Sequence, residues 1–279
     1  MRLRRVMTVL SGCSDDESLL EQGVALCEAN KAHLDALFVR RNAASGGDFL
    51  GDAFSTYGME SVLEALDDAA ALAAARARKA FDAMADTAPP AVVGRFVEYI
   101  GLPRSAMAAE GRLCDLILAA KPDGVDARNQ LNAIETAAFE SGRPVLVLPA
   151  GRTSAPTFDT IIIAWDGSLE ASRAVIGAMP LLQAASTVSV IHAGADSEAS
   201  EQLAAMAAYL DIHRVKAATQ TVELAGRSPA RALIDASTEQ AADLLVMGGF
   251  GAPGWQRSLG RDDTSLLIKG TPFALLLAH

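Results

Sequence analysis

The sequence predicts an α/β protein built as two tandem, doubly wound domains, each with a five-stranded parallel sheet. Three observations carry that expectation: the chain repeats itself, short apolar β runs alternate with longer amphipathic helices, and a Gly/Ser/Pro-rich stretch separates the copies. "RLCDLILAA" (112–120) matches "QAADLLVMG" (240–248), and "SGRPVLVLPAG" from Ser141 matches "KGTPFALLLAH" from Lys269. Asp115 and Asp243 are 128 residues apart, as are Pro144 and Pro272, while Gly101 and Gly226 are offset by 125. A length of 279 residues suits two domains at about 100 to 200 residues each. We place them at 1–152 and 157–279, joined through "AGRTSAPT", Ala150 to Thr157.

In the first copy the strand candidates are Val6 to Leu10, Leu34 to Val39, Phe96 to Ile100, Leu116 to Ala119 and Val145 to Leu148. In the second they are Thr160 to Ala164, Val188 to His192, Thr219 to Leu224, Leu244 to Met247 and Phe273 to Leu277. Strands separated by helices imply parallel pairing through right-handed crossovers, with both sheet faces covered. The first copy carries an additional stretch from Asn42 to about Pro90, a loop followed by the Ala-rich helix "ESVLEALDDAAALAAARARKAFDAM". One apolar stripe on that helix reads as a solvated covering element.

Composition removes several classes of function. A net charge of −10, with both signs interspersed, lacks the basic surface that nucleic-acid binding requires. No apolar run is long enough to span a bilayer, and "MRLRRVMTVLSGCSDDE" reads as a first strand rather than a signal peptide. Cys13, Cys27 and Cys114 form no CxxC pair, which argues against a zinc site or a disulfide framework and for a cytoplasmic chain. Cys13 reads as a small buried thiol. HExxH, GxSxG and GxxxxGK[ST] are all missing, so no catalytic residues or metal ligands are assigned.

In doubly wound sheets ligands bind beyond the carboxyl ends of the strands, where strand order reverses. In "IIIAWDGSLEASRAV" from Ile161, a strand ends at Asp166, Gly167 turns the chain and Ser168 caps a helix. Asp166 in that position accepts hydrogen bonds from sugar hydroxyls or adenine, or serves the turn itself. After the fourth strand, Gly248, Gly249 and Gly251 let the backbone approach an anion as a nest, or simply turn the chain. His192 reads as a packed, hydrogen-bonded residue.

Together, "IIIAWDGS", "ADLLVMGGFG", the terminal "GTPFALLLAH", and in the first half "CDLILAA" with "ESGRPVLVLPAG" resemble the universal stress protein (UspA) family in its tandem form. The resemblance implies an adenine-nucleotide-hydrolase-like, Rossmann-like fold, pairing of the domains through their last strands, and adenosine, AMP or ATP as ligand of the second domain. It implies a non-enzymatic sensor or scaffold, with slow ATP hydrolysis ranked last, that self-associates as a pseudo-dimer or homodimer and meets a further protein partner. No nucleic acid or membrane contact is expected. By the same resemblance Asp166 and Gly167 face ribose, and Ala164 and Ala193 border the base. Met247, Gly248 and Gly251 carry the phosphate loop; Phe250, at a position the family commonly makes polar, stacks on the ligand, covers it, or serves as a hydrophobic anchor of the loop. Arg261, a departure from the family pattern, or a metal offsets part of the phosphate charge.

The family's loop continues, nine residues on, with Gly then Ser or Thr, whereas this chain has Arg261 and Asp262 there. A carboxylate about 4 Å from a phosphate charge costs on the order of 4 kcal/mol at an effective dielectric near 20. Less charged ligands are therefore favoured over ATP, and the rival reading is an interaction module that binds no nucleotide. In the first copy Ser11 replaces Asp166, and Ala119 and Ala120 stand where the glycines begin. That copy is expected to be a degenerate partner, its crevice filled or dismantled and without a cofactor.

Overall fold

The structure, a computed structural model, is described for residues 2–41, 56–124, 127–149, 151, 156–194, 199–251 and 261–279, with the backbone alone at 56–60 and 261. Its first half runs β1 (Arg5–Leu10), α1 (Asp15–Asn30), β2 (His33–Arg40), α2 (Thr56–Thr87), β3 (Val93–Ile100), α3 (Pro103–Ala109), β4 (Leu116–Ala120), α4 (Ala127–Ser141) and β5 (Val145–Leu148). The second half repeats the plan with β6 (Thr160–Ala164), α5 (Leu169–Leu182), β7 (Thr187–Ala193), α6 (Ala199–Ile212), β8 (Ala217–Val222), α7 (Pro229–Glu239), β9 (Leu244–Gly248), α8 (Arg261–Gly270) and β10 (Ala274–Ala278). Most of the joining stretch, and residues 252–260, fall outside the described residues.

All ten strands join one sheet in the order β3-β2-β1-β4-β5-β10-β9-β6-β7-β8. Within each half every pairing is parallel, and only β5 and β10 run antiparallel, with Leu276 opposite Leu146. The cause is legible in the two strands that meet: every residue of "VLVL" and "ALLLA" is buried. A strand apolar on both faces cannot be left as a solvated edge, so each end strand covers the other.

Period-two alternation divides the core between the two faces. Val6, Leu10, Ile161 and Ile163 point to one face, beneath α1, α2, α5 and α6. Met7, Ile162, Leu245 and Met247 point to the other, beneath α3, α4, α7 and α8. Equivalent helices of the two halves share a face because the pseudo-dyad stands perpendicular to the sheet.

Helix α2 is the main departure from symmetry. Its 32 residues span about 48 Å at 1.5 Å per residue, far longer than α6 with 14. A stripe of Ala74, Ala77, Ala80, Phe81 and Met84 is buried, while Val62, Leu66 and Leu72 nearer its start are exposed. It is thus a covering helix with one apolar stripe, as its sequence predicts, and it also walls a cavity described below.

Candidate functional site

In each half the strand order reverses between the first and fourth strands, β1/β4 and β6/β9. In the second half Ala164 pairs with Met247, so Asp166 and Gly248–Gly251 leave adjacent strands on one rim. Ala193, the last residue of β7, lies beside them on the third strand. The turn after β6 is built by its own residues. Gly167 takes φ 76°, a region costly for other residues. Asp166 Oδ1 accepts from Ser168 N at 2.9 Å, and Ser168 Oγ accepts from Ala171 N at 3.1 Å to cap α5. His192 is buried, with Nδ1 3.0 Å from the Trp165 carbonyl, which ties β7 to the turn as a packed, hydrogen-bonded histidine would.

The glycine loop is less open than its sequence suggests. A Cβ on Gly248 would lie 2.6 Å from Ala171 N and 2.9 Å from Glu170 Cβ, so this glycine lets β9 touch the first turn of α5. The Gly249 amide donates to the Ala278 carbonyl at 3.0 Å, and the Phe250 amide to Thr264 Oγ1 at 3.0 Å. Two amides of the presumptive nest are therefore already engaged. Thr264, too late in the sequence to serve the family's Ser/Thr position, instead closes the loop from inside; its 14-residue separation from Phe250 gave no local signal.

Met247 and Phe250, two of the candidate site residues, are buried, Phe250 in the anchoring role that its apolar character also suggests. Met247 is fully buried among the side chains of the face covered by α3, α4, α7 and α8. Phe250, at φ 57°, is 4% exposed and packs on Phe139 of α4, centroids 5.7 Å apart. Phe139 also meets His279 at 4.0 Å, and His279 Nδ1 lies 3.3 Å from the Gly249 carbonyl. Phe250 thus anchors its loop to the other half. Arg261 opens α8, and its side chain lies outside the described residues, as does Gly260. Asp262 and Asp263 occupy the first turn of α8. Carboxylates there complement the positive end of the helix dipole, filling with the chain's own charge a place that favours anions.

In the first half, the crevice expected to be filled or dismantled is not filled. A cavity of about 440 Å³ lies at its switch point, lined by Val9, Val39, Ala119 and Met107 among others. Alanine for glycine after β4 removes the nest but not the space. The acid missing at Ser11 reappears one helical turn on: Asp16, 2% exposed, accepts from Ser11 N (2.9 Å), Ser11 Oγ (3.1 Å) and Gly12 N (2.7 Å). Burial raises its carboxyl above the usual value of 3.8, opposed by those hydrogen bonds. The sequence signal is a run of acids, Asp15, Asp16 and Glu17, in the first turn of α1. Cys13 is itself half-buried on the cavity wall, not enclosed, because the turn that carries it stands at the rim. Cys27 and Cys114 are buried, and desolvation pushes both thiols up to about 12.

Among the described residues no group of three or more His, Cys, Asp or Glu is placed to hold a metal ion. No described helix is long and apolar enough to cross a membrane.

Fold and rim together define a tandem doubly wound α/β protein of the kind that binds ligands at switch points. Residues 157–268 match the universal stress protein family, Usp. The C-terminal half is therefore similar to universal stress protein domains. A universal stress protein from Archaeoglobus fulgidus DSM 4304 has a similar structure at TM-score 0.66 and 15% identity, covering 99% of this chain and 96% of that one. A putative universal stress protein from Pseudomonas aeruginosa UCBPP-PA14 aligns at 0.52 and 12% identity, over 98% and 92%. The cytoplasmic domain of a prokaryotic cation chloride cotransporter aligns at 0.51 and 12% identity, over 100% and 96%. These likenesses show a common fold. A search of curated proteins finds no match.

Proposed function

We propose that the protein acts by binding rather than by catalysis, and that its second half takes an adenine nucleoside or monophosphate at the β6/β9 switch point. The carrying observation is the register of Ala164 with Met247, which brings Asp166 and the glycine loop to one rim. Asp166 keeps one carboxylate oxygen on its turn, and among the described residues its Oδ2 has no hydrogen bond, leaving an acceptor for ribose hydroxyls. Low ligand charge follows from the engaged amides of Gly249 and Phe250 and from the carboxylates that open α8. Binding would order the rim and shift the surface offered to a protein partner or a second copy.

Calorimetric titration of the full chain with adenosine, AMP and ATP, with and without magnesium, tests this reading. Adenosine and AMP are expected to saturate with ATP weakest, and Asp166→Ala to weaken adenosine by about tenfold, the loss of one or two hydrogen bonds to a charged acceptor. No saturable heat with any of the three defeats it. The same satisfied loop supports a second reading, an interaction module with no nucleotide in either half, and that result would leave it standing.

A further inference from the structure

The first-half cavity belongs to neither reading. Its 440 Å³ falls within the range of about 300–1,000 Å³ typical of small-molecule sites. Val9, Val39 and Ala119 supply the strand-end wall, Met107 of α3 and Ala133 of α4 one side, and Ala73 of α2 the other. Helix α2 can form that side because the turn after β1 has glycine at its contact point. A Cβ on Gly12, φ 77°, would sit 2.5 Å from the Ala73 carbonyl oxygen. Arg76 Nε donates to the Gly12 carbonyl at 2.8 Å, fixing its guanidinium on the cavity wall. Arg41, exposed at the end of β2, lines the same space, and Asn129 and Asn132 of α4 add amides.

The charge pattern selects a ligand class. The amides of Ser11 and Gly12, which would bind phosphate in this turn, are held by Asp16. Ala119 and Ala120 give no nest, and Lys121 reaches across to Thr271 of the other half at 3.5 Å. Positive charge is thus supplied by guanidinium groups beside apolar walls, with a buried carboxylate close by that penalises a highly charged ligand.

We propose that the first half binds a small monoanionic organic acid, its carboxylate on Arg41 and Arg76 and its apolar body between Val9, Val39, Met107 and Ala133. An aryl or short alkyl carboxylate fits this description; a nucleotide does not.

The test uses the full chain, with octanoate and indole-3-acetate as probes and octanamide and indole-3-acetamide as uncharged controls. The acids are expected to bind saturably and at least about tenfold tighter than their amides. Both acids should also slow alkylation of Cys13 by iodoacetamide, since Cys13 lines the same cavity. Arg41→Ala should lower acid affinity by about tenfold and leave the amides unchanged. Ala133→Phe should abolish acid binding, with an unchanged melting temperature confirming the fold. The proposal is overturned if the acids do not saturate, if acid and amide bind alike, if Ala133→Phe still binds, or if adenosine competes with octanoate. Failure here leaves adenosine binding in the second half untouched, so the two ideas stand or fall separately.

Discussion

At the end of β6 the chain turns through Gly167 at φ 76° and keeps its acid, Asp166, on the strand end; at the end of β1 it turns through Gly12 at φ 77°, and the acid has moved onto the helix as Asp16. On the neighbouring strand the second half has Gly248 pressed against α5, while the first half has Ala120. One displaced carboxylate and one methyl group accompany very different rims. In the first half Asp16 saturates the turn amides and an apolar cavity with arginines stands beside it. In the second, strand and helix touch, and Thr264 and the Ala278 carbonyl saturate the glycine loop. Two copies of one fold therefore differ in which backbone amides and how much space their strand ends leave available, rather than in the course of the strands.

The largest effect should come from a ring packed between the halves. Phe250→Ala removes a buried ring from the contact with Phe139 and should cost about 3–5 kcal/mol in denaturant unfolding. A loss below about 1 kcal/mol would show that the loop is not anchored across the halves. Asp16→Ala should cost about 2 kcal/mol, since it strips the acceptors from the Ser11 and Gly12 amides. Its pH dependence has a definite sign. Burial raises the Asp16 carboxyl, so the folded chain holds that proton more tightly, and this contribution is present below the unfolded value of 3.8 and lost as pH rises through the folded one. The gap between wild type and Asp16→Ala should then be wider at about pH 4 than at about pH 7, and a gap that narrows in acid would contradict the burial argument.

Smaller changes sharpen the contrast between the halves. Gly248→Ala pushes a methyl group against Ala171 N and should cost about 1–3 kcal/mol, whereas Ala120→Gly should cost less than about 1 kcal/mol. Equal costs would mean that the two rims are packed alike. Thiol titration gives the gentlest test. Cys13 should react with Ellman's reagent in the native protein, while Cys27 and Cys114, buried and with thiols pushed up to about 12, should react only after unfolding.

Repetition at a fixed offset and apolar runs bounded by turn residues announced all ten strands, because burial of both sheet faces demands such runs. Strand β8 is the instructive exception: the expected Thr219–Leu224 lies two residues later than the observed Ala217–Val222. Its middle residues are exposed on an edge of the sheet, so no burial pattern fixes its ends. Ser168 as a cap and His192 as a packed residue were readable because their partners are local or follow from strand order. Proximity to a glycine loop in sequence does not say whether Phe250 meets a ligand or anchors the loop, nor that Met247 is buried; packing against Phe139 and the core does. The open first-half crevice is not legible in sequence for a related reason: losing glycines removes a phosphate nest, yet whether space remains depends on how α2, α3 and α4 stand around it.

By itself the sequence determined the α/β class, the duplication, the strands and the turns that place Asp166 and the glycines at strand ends, since each is written in local periodicity and in residues with special backbone freedom. The tertiary structure decided which of those groups is still available. Asp16 saturating Ser11 and Gly12, Thr264 closing on Phe250, and Phe250 meeting Phe139 are satisfactions of polar and apolar groups by partners whose positions are set only when strands, helices and halves have packed.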